Sequence, residues 1–494
     1  MAARAATILA LLIAAGMGQA QAPAPPPPDP PDRALPINLP TAFQLARVRN
    51  LDVQVAAERV AAAAAQLDRA YSRWLPTVYL GGDYARQEGR IQDVAGNVFS
   101  TTKQSVMVGA GPSLVFSPSD AILAPLAARQ VVAAREADRR AAENDTTLAV
   151  AEAYFNVQRA RGELAGAIQL ERLTADLANR AEKLALGLAQ PVEVNRAKTE
   201  LARRRQAVET ARERWETAST ELNRLIRLPP TTVVQPAEPP DLRIELFDWS
   251  IAVDELIPIG LRNRPELAAQ QALVEAALAR LREEKLRPLV PSVIVRGNAT
   301  NPAGTLSTGV FGGGLDSRTD HLGTRNSYDV QVLWELQGLG LGNLSAVRER
   351  EAENRGAILE LLRTQDRVAA DVVQAHSQAT RSAARARLAA DGLTEAAQTV
   401  KTHLDAIDQT RQVGGTAVLV FRPQEAVAAV QALDQAYRDY FGAVADANGA
   451  QFRLYRALGH PARCILDRAK VVPAAQLAAP VADVESGFAA DRGR

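Results

Sequence analysis

The sequence predicts a mainly α-helical fold with a β-barrel part. Long antiparallel coiled-coil helices would carry four membrane-spanning strands per chain, and three chains would complete a twelve-stranded barrel. Three observations predict this fold: an export signal at the start of the 494-residue chain, an internal two-fold repeat, and a pair of alternating strands beside a very long helix in each repeat.

The N-terminus has the order of a secretory signal. Arg4 precedes an apolar run over residues 5–15, and small residues follow up to Ala20, where we expect residues 1–20 to be cleaved off. Residues 21–38 are rich in proline and predict an extended linker. No later apolar run is long enough for a membrane-spanning helix, so any insertion into a membrane must use strands.

Composition argues against several classes of function. The net charge is +1, which gives no electrostatic basis for nucleic acid as a partner. The single cysteine, Cys464, excludes an intrachain disulfide and a thiolate metal site. The four histidines are not at metal-ligand spacing, and no serine or cysteine has a recognisable activating neighbourhood. We therefore expect no cofactor and no enzymatic activity.

An internal repeat organises the chain. Residues 49–78 and 263–293 follow the same pattern, with one inserted residue near the end of the second copy. We divide the mature chain into a first repeat over 39–245, a second repeat over 246–463 and a tail over 464–494. Each repeat is predicted to contain a short helix, two strands, a long helix and a second short helix, in that order.

The long helices are predicted at 119–186 and 343–412. At about 1.5 Å per residue, each is on the order of 100 Å long, too long for the core of a compact globule. The shorter helices 41–74 and 192–227 could stack end to end beside one long helix. The closing helix, 425–458, carries an unbroken heptad seam of small or apolar residues at Ala426, Ala429, Leu433, Ala436, Tyr440, Ala443, Ala447, Ala450, Leu454 and Ala457. The first repeat has the same phase, interrupted by Arg204.

The predicted strands alternate between apolar and polar residues, as membrane-spanning barrel strands do. An ordinary half-buried soluble sheet has the same alternation, but export and the connection to long helices favour a membrane. Loops are predicted at 88–103 and 300–327. The residues expected to face lipid are Val78, Leu80, Tyr84, Val106, Val108, Phe116, Val293, Val295, Tyr328, Val330, Val332 and Trp334.

Four strands cannot close a barrel, and an open sheet edge is not tolerated in lipid. Several chains must therefore contribute strands. Three chains give twelve strands, an even number within the known range of membrane barrels.

The order of the motifs resembles the TolC-type outer-membrane efflux family, the outer membrane factors, over about residues 39–459. Two segments are similar to the family's Asn-Pro-x-Leu element, from which Leu51 and Arg264 each depart by one residue. The motifs that carry the resemblance are Asn50-Leu51-Asp52-Val53, Trp74-Leu75-Pro76, Arg264-Pro265-Glu266-Leu267, Trp334-Glu335-Leu336 and Arg456-Ala457-Leu458-Gly459.

The resemblance implies the outer-membrane channel of a tripartite efflux system. It implies a homotrimer in the outer membrane of a Gram-negative bacterium, with outer-membrane lipid around the barrel and a long periplasmic part. It also implies a periplasmic adaptor (membrane fusion) protein and an inner-membrane pump as partners. The cargo would be small molecules such as drugs, toxic compounds or metal ions.

The resemblance also points to residues at the helix tips. An adaptor would dock where the long and short helices meet, at Leu184, Gly187, Pro191 and Val192 in the first repeat and at Gly414, Gly415 and Thr416 in the second. Acidic residues that narrow the periplasmic aperture of the family correspond to Glu193 and Glu425. The family's second acidic position falls on Ala428, which leaves Glu425 to act alone in the second repeat.

Two alternative functions remain open at this point. The same architecture serves type I protein secretion, and the sequence does not separate that cargo from small molecules. A non-conducting trimeric coiled-coil surface protein is the second alternative, although a simple stalk would not fold back at two tips. The segment Gly338-x-Gly340-x-Gly342 follows a strand and opens a helix, but it is GxGxG rather than GxGxxG, so we interpret it as a structural turn and not a nucleotide loop.

Overall fold

A computed structural model describes residues 34–184, 190–247, 251–296, 308–315, 318–319, 321–326, 328–406, 409–413, 416–419, 423–459 and 470–472. The predicted signal lies outside these residues, as do most of the predicted linker and most of the tail. Among the described residues, no helix combines the length and the apolar character needed to cross a bilayer.

The first repeat contains four helices and the first two long strands. Its elements, with the short strands that flank them, are β1 (Leu35–Ile37), α1 (Leu39–Arg49), α2 (Leu51–Tyr71), β2 (Thr77–Gln92), β3 (Val98–Phe116), α3 (Pro118–Leu184), α4 (Pro191–Ile226), β4 (Val234–Pro236) and β5 (Arg243–Glu245).

The second repeat has the same order of helices, with more strands between them. Its elements are α5 (Val253–Asn263), α6 (Pro265–Leu286), β6 (Ser292–Arg296), β7 (Thr308–Leu315), β8 (His321–Asn326), β9 (Asp329–Leu333), α7 (Leu341–Ala406), β10 (Thr410–Val413), β11 (Thr416–Leu419), α8 (Pro423–Ala457) and β12 (Lys470–Val472).

The helices confirm the repeat and correct its first element. The predicted single helix at 41–74 is two helices, α1 and α2, because the chain is extended at Asn50 and the Asn50 side chain caps the second helix. In the second repeat α5 and α6 have matching lengths, 11 and 22 residues against 11 and 21. The predicted helix 343–412 ends early, at Ala406.

A β-hairpin follows α7 in place of the last predicted helical residues. β10 pairs antiparallel with β11, and Val413 lies opposite Thr416. The sequence between these two residues is Gly-Gly, and β-branched residues flank it on both sides. Both features favour a two-residue hairpin turn over a continued helix.

The main sheet has six antiparallel strands in the described residues, and they occupy four positions across the sheet. β2 pairs with β3, and β6 and β7 follow one another along the opposite edge of β3. β9 pairs with β6, and β8 pairs with β7. β6 and β7 therefore share the third position across the sheet, and β8 and β9 share the fourth. The predicted loops were therefore too long: β2 and β3 leave only residues 93–97 between them, and much of 300–327 is strand.

Helix packing forms the core around the middle of α3. Large side chains of this helix are fully buried, among them Tyr154, Phe155, Leu170 and Leu177. Tyr154 and Phe155 pack with α4 and α8, whereas Leu170 and Leu177 pack with α7 and α8. Most of the predicted heptad seam of α8 is buried. Two short sheets flank this core: β1 pairs with β4, and β12 of the tail pairs with β5. Residues 35–37, which were predicted to belong to the extended linker over 21–38, are thus a strand.

Candidate functional site: an apolar sheet face and two helix tips

The strand register places the predicted lipid-facing residues that belong to strands on one face of the main sheet, while Tyr328 and Trp334 lie just outside β9. Antiparallel partners that lie opposite each other share a face. Tyr84 lies opposite Val106, Val108 lies opposite Val310, and the row Phe116–Val293–Val332 crosses three strands. Their side chains are exposed or half-buried in the isolated chain. We call this surface the apolar face.

The apolar face has the height of a membrane barrel. From Val106 to Phe116 it covers ten residue steps of β3, about 33 Å along the strand. For strands tilted by about 40°, this length corresponds to a band roughly 25 Å tall, the usual height for outer-membrane barrels. Beyond Tyr84 the same face of β2 turns polar, with Arg86, Glu88 and Arg90.

Aromatic side chains mark the helix-side limit of the band. The Trp74 ring contacts the Phe116 ring at 4.9 Å between centroids, and Trp74 Nε1 donates a hydrogen bond to the Ala121 carbonyl at 3.0 Å. Trp334, two residues after Val332, is exposed. Amphipathic aromatic side chains concentrate at the edges of membranes.

The opposite face of the sheet carries more polar residues and many glycines, together with apolar residues such as Met107, Val115 and Ile294. Asp83, Lys103, Asp329 and Gln331 occupy it by register, and Gln331 donates a hydrogen bond to Asp329 at 2.8 Å. A sheet that is apolar on one face and more polar on the other fits a barrel with lipid outside and water inside.

The main sheet has two open edges within the described residues. β2 is paired only with β3, and β8 and β9 are paired only with β7 and β6. Unpaired backbone groups on these edges need partners wherever the surroundings exclude water.

The two helix tips lie side by side at the far end of the molecule. Arg196 of α4 donates hydrogen bonds to Glu193 and to Gln424 of α8, both at 2.9 Å. Arg180 of α3 donates to the Leu404 carbonyl of α7 at 3.0 Å. The predicted tip residues Leu184, Pro191 and Val192 stand at the ends of α3 and α4, and Thr416 begins β11. Gly187, Gly414 and Gly415 lie outside the described residues.

The two predicted aperture residues have different surroundings. The Glu193 side chain is mostly buried and forms an ion pair with Arg196. Glu425, in the first turn of α8, is exposed.

Sequence reasoning missed a buried ionic cluster between α4 and α8. Arg204 contacts Glu200 and Asp434, each at 2.6 Å, and all three are nearly inaccessible to solvent. Burial would lower the pKa of Arg204, but Asp434 and Glu200 reverse this and raise it. The interruption of the heptad seam at Arg204 was the only signal, and it did not reveal the acidic partner on α8.

Residues 42–226 match the family model described as outer membrane efflux protein. The match covers most of the first repeat. A search of curated proteins finds no match.

Solved structures of bacterial membrane proteins share the fold. A membrane protein from Pseudomonas aeruginosa superposes with a TM-score of 0.70 at 18% identity, over 85% of this chain and 93% of that one. The outer membrane protein VceC from Vibrio cholerae gives 0.65 at 17% identity, over 85% and 96%. The outer membrane channel CmeC from Campylobacter jejuni gives 0.67 at 15% identity, over 85% of each chain.

Proposed function

We propose that this chain, which matches the outer membrane efflux proteins over residues 42–226 and has the fold of TolC-like outer-membrane channels, is one subunit of a trimeric export duct. It lies in the outer membrane of a Gram-negative bacterium and extends its long helices into the periplasm. It conducts small molecules and catalyses no reaction.

One observation carries the proposal: a sheet that is four strands wide, with an apolar outer face and two open edges within the described residues. In lipid, β2 of one chain must pair with the β8–β9 edge of the next, because an open edge is too costly there. Three chains then give a closed barrel of twelve strands. The more polar, glycine-rich face lines its water-filled interior.

The helices extend this barrel into the periplasm. α3 and α7 have 67 and 66 residues, about 100 Å each at the helical rise. Both return through α4 and α8, which places two tips per chain at the periplasmic end. We assign adaptor docking to these tips, aperture narrowing to Glu193 and Glu425, and the supply of energy to an inner-membrane pump.

The cargo is tested in a strain that lacks the gene. We expect this strain to accumulate small fluorescent compounds that the parent exports, and to recover export with the wild-type gene. Unchanged accumulation together with loss of a protein from the medium would favour type I secretion instead. A neighbouring gene for a resistance-type pump would support the export of small molecules. A neighbouring gene for a protein-exporting ATPase would support type I secretion.

A further inference from the structure

The connection from β9 to α7 differs from the other connections between sheet and helices. The chain passes through proline at Pro76, Pro118 and Pro291 where it joins the sheet to α2, α3 and α6. The fourth connection has no proline and instead contains the GxGxG segment over residues 338–342.

The backbone of this turn is fixed by its glycines and by one hydrogen bond between a backbone amide and the Asn343 side chain. Gly338 and Gly340 have φ angles of 53° and 91°, which glycine adopts easily. A Cβ on Gly342 would lie 2.9 Å from the Gln337 Cβ, so no larger residue fits there without a shift. Asn343 Oδ1 accepts a hydrogen bond from the Gln337 amide at 2.8 Å and closes the turn.

The φ angles, the steric limit at Gly342 and the hydrogen bond of this turn do not explain why residue 339 is a leucine. Its φ of 56° is left-handed, a conformation that costs an L-residue energy and that glycine or asparagine adopts more cheaply. The side chain is 97% exposed, so no packing within the chain offsets this cost. A strained position that presents an apolar side chain outward indicates a contact outside the chain.

Leu339 belongs to a small apolar patch. We call Leu336, Leu339, Leu341 and Leu344 the turn patch; all four are exposed. The exposed surface becomes charged in the next turn of α7, at Arg348 and Glu349. The patch is therefore confined to the turn and the first turn of the helix.

The turn patch continues the apolar face of the sheet. Val332 lies in the row with Val293 and Phe116, and Trp334 follows two residues later, just beyond the end of β9. The patch begins two residues after Trp334, just beyond the aromatic limit of the band. Residues at this depth lie at the boundary between acyl chains and headgroups.

We propose that the turn patch inserts into the periplasmic leaflet of the outer membrane and anchors the barrel at its helix-side rim. This inference rests on the proposed outer-membrane function. Lipid is the occupant because the patch is continuous with the apolar face and ends where charged residues begin. The GxGxG turn holds the leucines in position, which explains the motif without a nucleotide.

A site-specific fluorophore tests the contact with lipid. In a Cys464→Ser background, a bimane label is attached to Leu339→Cys, and the intact trimer is reconstituted in vesicles whose lipids are brominated near the top of the acyl chain. Leu359→Cys is the matched control: it lies on α7, is 64% exposed, and is about 27 Å further along the helix than Leu341. We expect bromolipid to quench the label at residue 339 several-fold more than the label at residue 359.

Two results would overturn the anchor. Strong quenching at residue 339 by aqueous iodide, as at residue 359, would place the turn in water. Protection from both quenchers would mean that a neighbouring chain covers it. A label on Val332→Cys separates the two proposals: if lipid quenches residue 332 but not residue 339, only the anchor fails, and if it quenches neither, the outer-membrane barrel fails as well.

A second variant separates anchoring from folding. Leu339→Asn suits the left-handed backbone better, so we expect its melting temperature in detergent to stay the same or rise. Its insertion into lipid vesicles should slow several-fold. A lower melting temperature with unchanged insertion would show that Leu339 serves the fold and would overturn the anchor.

Discussion

In the first repeat the bend between α1 and α2 is held by Asn50, whereas in the second repeat the corresponding bend between α5 and α6 is held by Arg264. Asn50 Oδ1 accepts from the Asp52 amide at 2.8 Å, and its Nδ2 donates to the Leu225 carbonyl at 3.1 Å. The Arg264 guanidinium donates to Glu266 at 3.0 Å and to Asp371 at 3.1 Å. A neutral amide and a buried charge thus serve the same backbone geometry.

Further charges strengthen the second bend. Arg456, near the end of α8, contacts Glu266 at 3.1 Å and Asp145 of α3 at 2.6 Å. This network ties α3, α6, α7 and α8 together in one place. The two repeats therefore share the position of the bend but not the interaction that holds it. For this reason the two bends should respond differently to mutation and to acid.

Removal of the Arg264 or the Asn50 side chain should give the largest difference in stability between the two bends. Arg264→Ala leaves two partly buried carboxylates without their main partner and should lower the free energy of unfolding by about 3 kcal/mol. Asn50→Ala removes a cap and one buried hydrogen bond and should cost about 1.5 kcal/mol. Melting temperatures of the purified variants in the same detergent give the order. An equal loss in both would remove the distinction between the bends.

The helix ends that pack on the two bends give a second, smaller difference. Arg227 follows the last residue of α4, and Gly459 lies two residues beyond the end of α8. Both have left-handed φ angles, 60° and 74°. A Cβ on Gly459 would lie 2.5 Å from the Asn263 carbonyl carbon. Gly459→Ala should therefore cost about 2 kcal/mol through strain and a backbone clash. Arg227→Gly is the matched control and should be neutral or slightly stabilising; a destabilised Arg227→Gly beside a tolerated Gly459→Ala would contradict the structure.

Acid should weaken the second bend before the first. Burial alone would raise the pKa of Glu266, but Arg264 outweighs burial and lowers it below its ordinary value of 4.5. Ionised Glu266 therefore stabilises the folded state, fully above pH 4.5, and this contribution is lost as the pH falls through the lowered pKa.

Glu266→Gln tests this pH dependence. Melting temperatures between about pH 3 and pH 7 should fall with acid more steeply in the wild type than in the variant. Asn50→Ala should retain the wild-type slope. If Glu266→Gln has the wild-type slope as well, other carboxyl groups control the acid response.

The tips provide the third contrast and the smallest effect on stability. In the first repeat only residues 185–190 separate the two helices, whereas residues 407–422 separate them in the second and include β10 and β11. Glu193 is held by Arg196, while Glu425 is exposed. Glu425→Gln should leave the melting temperature unchanged and reduce block of the channel by divalent cations.

Glu193→Gln is the comparison for the aperture. It should cost some stability by removing the ion pair with Arg196, about 0.5 kcal/mol for an i,i+3 helix pair whose arginine is exposed. Cation block is measured from the conductance of each variant in a planar bilayer. Block that is unchanged in Glu425→Gln would exclude Glu425 from the aperture.

Local pattern was enough to predict much of the fold. Three features depend on the spacing of residues alone: the repeat, the heptad seam of α8, and the side of each strand that carries Val106 or Val330. The structure has all three in the predicted places. The early end of α7 could also have been predicted, because Val413-Gly-Gly-Thr416 is a sequence typical of a hairpin. The helical pattern before it led to the longer helix that we predicted instead.

Contacts between residues far apart in the chain could not be predicted from the sequence. Arg264 and Asp371 are 107 residues apart, and Arg204 meets Asp434 across two helices of different repeats. Their pairing depends on how the helices pack, which periodicity does not fix. The same holds for the turn patch, because only the φ of Leu339 and its exposure distinguish it from an ordinary leucine.

The trimeric duct is tested by single-channel conductance of the purified protein in a planar bilayer, after the mass of the particle has been measured in detergent. We expect a particle of three chains and stable conductance steps, since three sheets close one barrel around a polar interior. A monomer, or a trimer that never conducts, would contradict it and favour a non-conducting coiled-coil surface protein.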